Sequence, residues 1–175
     1  MRQLRPPSTR NYSEFMPSNY TELWKQLTPE EKLEAAESFW TGDAIRAQQQ
    51  STLQLMAKRY NFRLKSLQAL PASRKARMLL EYGTIPAEVL MAMIAAFHLA
   101  HRKDLLIAFL DAAGIPHENG LLSEEAEKNA PSADSIKTAV DTIQSKFPGH
   151  QVDIYLRTLY IQDPEYWKEL KPFTE

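Results

Sequence analysis

A chain of 175 residues and 20.1 kDa, 43% hydrophobic and 25% charged with a formal net charge of −1, has the length of one domain and the composition of a folded one. The absence of Cys excludes a disulfide framework, a thiolate nucleophile and Cys-ligated zinc or iron–sulfur centres, and the five Gly never fall in a phosphate-cradling order. The longest uninterrupted apolar run, Val89 to Phe97, is nine residues, whereas a membrane-spanning helix needs about 20.

From the N-terminus, Arg2, Arg5 and Arg10 precede any acid, but no apolar stretch follows them. This does not read as a secretory signal. Residues 1–17 are expected to be a poorly ordered arm, the protein cytoplasmic and without a membrane partner. Thr28-Pro29-Glu30-Glu31 combines a cap residue, Pro at the first helical position and Glu at the third. Such a capping box predicts a helix to about Thr41. Leu33, Ala36 and Trp40 would share its inner face, and the ladder Glu30, Glu31, Glu34, Glu37 its solvated one. Asp43 is placed to cap a following helix on which Ile45, Gln49, Thr52, Leu53, Met56 and Tyr60 make one stripe. After a short piece from Leu64 to Leu70, Ser73 is a cap candidate for a helix carrying Ala76, Leu79, Leu80 and Tyr82, closed by Gly83.

Pro86 opens the most apolar segment, and from Ala87 to Ala113 there is neither Pro nor Gly. The polar tetrad His101-Arg102-Lys103-Asp104 divides it into two blocks, each apolar around most of a helix, so both blocks should be buried with a break at the tetrad. Leu90, Met93, Ile94, Phe97, Leu106 and Phe109 are the expected core. Gly114 and Ile115-Pro116 turn the chain. A short acidic piece follows from Leu121 to Lys128, and then a helix capped by Ser132 with Ile136, Val140, Ile143 and Phe147 inward. After Pro148-Gly149, Val152, Tyr155, Leu156 and Leu159 mark another helix. A last one is expected from Asp163-Pro164, with Tyr166, Trp167 and Leu170. Pro71, Pro86, Pro116, Pro131, Pro148 and Pro164 recur at about the length of one short helix plus a turn. No segment shows sustained alternation bounded by turn signals, and no strand is predicted. The expected class is all-α: residues 18–175 as a single helical domain, a bundle or a short array of helical hairpins.

The net charge conceals an asymmetry. Residues 1–43 carry 5 basic and 7 acidic side chains, residues 44–80 carry 8 and 0, and residues 81–175 carry 8 and 15. Arg46, Lys58, Arg59, Arg63, Lys65, Arg74, Lys75 and Arg77 form the basic block. Three readings compete for it. The block pairs with acidic surfaces of its own chain, where each exposed pair contributes about 0 to 1 kcal/mol. Alternatively it docks an acidic protein surface, including that of another copy, through complementary fields. In the third reading it meets nucleic acid, with Tyr60 or Phe62 available for stacking. Its flanks are acidic and the sequence pI is about 6.4, which ranks nucleic acid below protein.

A different chemistry attaches to His98-x-x-His101-x-x-Asp104. On one continuous helix, successive members sit about 60° apart and would converge on a metal ion. Against this, His98 follows the nine-residue apolar run and suits a core histidine with a hydrogen-bond partner. No nucleophile elbow or second ligand repeat accompanies it. The sequence therefore predicts a non-enzymatic interaction or scaffold module acting through the basic block without a cofactor, with a metal-binding helical protein or metal-assisted enzyme as the alternative.

Overall fold

The computed structural model describes residues 17–43 and 45–174. Helices dominate: α1 (Pro17–Gln26), α2 (Pro29–Thr41), α3 (Arg46–Tyr60), α4 (Leu64–Gln68), α5 (Ala72–Leu80), α6 (Ala87–His101), α7 (Lys103–Ala113), α8 (Ala133–Lys146) and α9 (Gly149–Gln162). Two 3-10 segments, Ala126–Lys128 and Lys168–Phe173, and a small antiparallel hairpin of β1 (His117–Glu118) and β2 (Leu121–Leu122) complete the described chain. The class is all-α. The expected arm of residues 1–17 lies outside the described residues except for Pro17, which opens α1. Two compact units emerge, one ending at Phe97 and the next beginning at His98, so the division falls inside α6. None of the helices among the described residues is long and apolar enough to cross a membrane.

In the first unit, α1 was not anticipated, although Tyr20, Leu23 and Leu27 stand at helical spacing and all three are buried. The capping box of α2 forms as predicted: Thr28 Oγ1 accepts the Glu31 N–H at 3.1 Å, and Glu31 Oε2 accepts the Thr28 N–H at 2.9 Å. This use draws Glu31 inward, so it leaves the solvated ladder and is buried. Ala35, Ala36, Phe39 and Trp40 make the inner face, with Leu33 only half-buried, and α5 packs against α2 through a face that buries Ala76, Met78 and Leu79. Asp43 does not cap α3; Ile45 holds that position without a side-chain bond, and Asp43 pairs with Arg46 at 2.9 Å. Instead the Gln49 amide donates to the carbonyls of Phe39 (2.6 Å) and Gly42 (2.7 Å), which would otherwise lack partners at the end of α2. Ser73 lies inside α5 rather than at its cap, because Pro71 already occupies the cap position.

The predicted break in the apolar segment occurs at Arg102, whose φ of −127° and ψ of 23° separate α6 from α7. All six expected core residues are buried. In the second unit, α7 ends at Gly114 (φ 66°), with Ile115 N–H donating to Leu110 O at 2.9 Å and Gly114 N–H to Asp111 O at 3.1 Å. These two bonds are the Schellman pair, and the following Ile115 is buried. The hairpin corrects the expectation of no strand: Asn119 (φ 54°) and Gly120 (φ 90°) take the left-handed pair of a two-residue turn. Side chains from α7, α8, α9 and the C-terminal 3-10 segment share one core. Phe109 lies fully buried in it, 5.5 Å from the Tyr155 ring and 5.9 Å from that of Trp167. The expected last helix is instead a turn closed by Asp163 Oδ1, which accepts the Tyr166 N–H at 3.0 Å, followed by the 3-10 segment containing Pro172.

Truncating Phe109 to Ala should lower stability by about 3–5 kcal/mol in urea unfolding, since a ring is removed from a site that cannot collapse freely. Tyr20 supplies a second expectation. Its hydroxyl is buried and has no hydrogen-bond partner among the described residues, and burial raises its pKa above the usual phenol range. The neutral phenol is thus favoured in the folded chain. Its contribution is fully present below the unfolded pKa of about 10 and is lost as pH rises past it. Tyr20→Phe should therefore gain about 1 kcal/mol at neutral pH and show a shallower loss of stability in an alkaline titration followed by circular dichroism.

Candidate interaction surface

The basic block is distributed by the stripes that its helices bury. On α3, Thr52, Leu53 and Met56 turn inward, which leaves Lys58 and Arg59 exposed with Leu55 on the outer side. Asn61 then adopts the left-handed conformation (φ 54°) and stops the helix, with the Phe62 N–H donating to Ala57 O at 3.0 Å. Phe62 and Arg63 follow at the surface. In α4 only Leu67 is fully buried, and Lys65 points out; on α5, Arg74 and Arg77 stand opposite Ala76, Met78 and Leu79.

Neutral hydrogen bonds hold these pieces together. The Tyr60 hydroxyl donates to Met78 O at 2.7 Å, tying the end of α3 to α5, and the Gln68 amide donates to Gln50 Oε1 at 3.3 Å, tying α4 to α3. Burial is the leading cause that lifts the Tyr60 pKa, with Glu81 adding to it. Lys75 is the one member of the block that is not exposed. Its ammonium sits 5.1 Å from the centre of the Trp40 ring, and desolvation lowers its pKa. Trp40 was expected as a plain core residue; its role as a seat for Lys75 follows only from α5 lying across α2.

Seven of the eight basic residues are therefore exposed: Arg46, Lys58, Arg59, Arg63, Lys65, Arg74 and Arg77. Arg46 has Asp43, while among the described residues no ion pair engages the other six. Each pair of like charges about 10 Å apart in water repels by roughly 0.4 kcal/mol. In the same stretch of sequence Leu55 and Phe62 are exposed by 41% and 50%. Leu55 was not singled out by sequence, yet its place outside the α3 stripe was the available signal.

The alternative site is not assembled. His98 is buried, and its Nε2 lies 3.0 Å from Thr158 Oγ1. Because the Thr158 hydroxyl spends its proton on Ile154 O at 2.7 Å, Oγ1 must accept from His98 Nε2–H, and that nitrogen has no lone pair to offer an ion. The break at Arg102 removes the continuous helix that convergence required, and His101 and Asp104 are both exposed. Among the described residues no group of three or more His, Asp or Glu is arranged to hold a metal ion. The break instead borders an open cleft of about 360 Å³ lined by His101, Arg102, Lys103, Asp104, Phe147 and Gln151. Its charged residues are of both signs.

Comparison with models of protein families, with curated proteins and with solved structures finds no match for this chain.

Thr158→Val should strand the buried His98 N–H and lower stability by about 1–3 kcal/mol, measured by urea unfolding.

Proposed function

We propose that this chain is a non-enzymatic interaction module that docks acidic protein surfaces on the basic face of α3, α4 and α5. The observation that carries the reading is the set of six exposed cations, Lys58, Arg59, Arg63, Lys65, Arg74 and Arg77, which no ion pair engages among the described residues. Uncompensated charge of one sign attracts a partner of the other and accelerates the encounter. Exposed Leu55 and Phe62 add apolar area that a protein surface covers on docking. Duplex DNA fits less well, because residues 81–175 carry 15 acids against 8 bases and would be repelled by phosphates.

Fluorescence anisotropy with labelled poly-glutamate and with a short DNA duplex tests the reading. Poly-glutamate should bind, and the binding should fade as the screening length falls from about 10 Å at 0.1 M salt to about 3 Å at 1 M. The triple reversal Arg59→Glu, Arg63→Glu and Arg74→Glu should abolish it while circular dichroism is unchanged, since none of the three side chains is buried. Tighter binding of the duplex, with a steep dependence on salt, would assign the face to nucleic acid instead.

A further inference from the structure

We propose that the acidic surface docked by the basic face belongs to a second copy of this chain, presented by its β1–β2 hairpin. The inference rests on the reading of the basic face as a docking surface and adds the partner. Two stretches carry it. Residues 44–80 hold eight basic side chains and no acid; residues 104–127 hold six acids and neither Lys nor Arg. The large hydrophobic side chains exposed among the described residues are Leu55 (41%), Phe62 (50%) and Leu121 (45%). The first two fall in the basic stretch and the third in the acidic one. Leu121 stands on β2 with Glu118, Glu124 and Glu125 exposed around it in sequence. One chain thus carries two exposed apolar side chains within a basic stretch and one exposed apolar knob within an acidic stretch.

The knob is held in a defined shape. The Gly120 N–H donates to His117 Nδ1 at 3.3 Å, which leaves the Nε2 proton for Asp111 Oδ1 at 3.0 Å, so the turn is fastened to α7. A Cβ on Gly120 would come within 3.3 Å of Leu106 Cβ, so the turn lies directly on that helix. A preformed hairpin gives up little conformational freedom on docking. Leu121 covers Phe62 and Leu55 of the next copy while Glu118, Glu124 and Glu125 meet the cations beside them. The two surfaces differ, so each contact joins the basic face of one copy to the hairpin of another. One apolar contact and a few solvated ion pairs make it weak.

Sedimentation velocity on the full chain tests this. The wild-type mass should rise with concentration in about 0.05 M salt and return to that of the monomer in about 1 M, the apparent affinity falling about tenfold or more. A hairpin variant (Leu121→Ser, Glu124→Lys, Glu125→Lys) and a basic-face variant (Arg59→Glu, Phe62→Ser, Arg63→Glu) should each stay monomeric alone. Mixed, they should form an equimolar pair and nothing larger, because the first keeps a basic face and the second keeps a hairpin. Circular dichroism establishes that both variants are folded. Self-association that survives the hairpin variant would overturn the inference. A wild-type chain that stays monomeric yet binds labelled poly-glutamate would overturn it while leaving the docking face in place. A chain that does neither would overturn both.

Discussion

Eight cations separated by no acid cannot enter a core, because an unpaired ammonium or guanidinium loses more hydration on burial than its packing returns. In residues 44–80 this leaves only neutral side chains for the interior: Thr52, Leu53 and Met56 from α3, Leu67 from α4, and Ala76, Met78 and Leu79 from α5. The orientation of all three helices follows from that choice. Lys75 marks the limit of the rule, for its stem lies partly inside while its ammonium rests over the Trp40 ring, and desolvation lowers its pKa.

The same constraint decides what fastens the region. Since the charges stay in water, the bonds between helices are neutral: Gln49 to the carbonyls at the end of α2, Tyr60 to Met78, Gln68 to Gln50. Neutral bonds of this kind are little affected by screening, whereas the attraction of the exposed cations for a partner is strongly affected. The fold and any docking through the exposed cations would thereby be uncoupled in their response to salt. On the proposed docking, raising the salt would weaken the attraction and leave the helices in place. Charge reversals on the face act in the same way, because they touch none of the ties.

Where burial alone decides, the sequence was readable. The stripe Thr52, Leu53, Met56 and the inward set Ile136, Val140, Ile143 follow from helical spacing, the core residues from Leu90 to Phe109 from segments apolar around most of a helix, and the polar tetrad located the break at Arg102. Errors gathered where short-range alternatives compete. Asp43 had two uses, as a cap or as a partner of Arg46, and an exposed ion pair took it. Asn119-Gly120 is a hairpin dipeptide, but strands of two residues are too short to display alternation. The role of His98 turned on one proton: the bond from Thr158 to Ile154 obliges Thr158 to accept from His98 Nε2–H, a dependence between residues sixty positions apart that no local pattern displays. For the basic face, its composition was legible as a run of charges. Its apolar partners were half legible, since Phe62 was noticed and Leu55 was not.

The near cancellation of charge across the whole chain bears on what the face attracts. A formal net charge of −1 means that two copies hardly repel at distances beyond the screening length. Within that distance the local fields differ in sign from one stretch to the next, so the interaction depends on orientation: basic face to basic face is repelled, and basic face to an acidic stretch is drawn in. A strongly basic chain would bind almost any polyanion and gain little selectivity. Here the acids of residues 81–175 oppose approach to a rigid, extended polyanion such as a duplex, while a flexible acidic chain, or a surface that is acidic only over a patch the size of the basic face, meets less opposition. On the proposed docking, selectivity would therefore reside less in the cations themselves than in the acids that surround them in the sequence, and a partner would be sorted by how far its negative charge extends as a rigid surface.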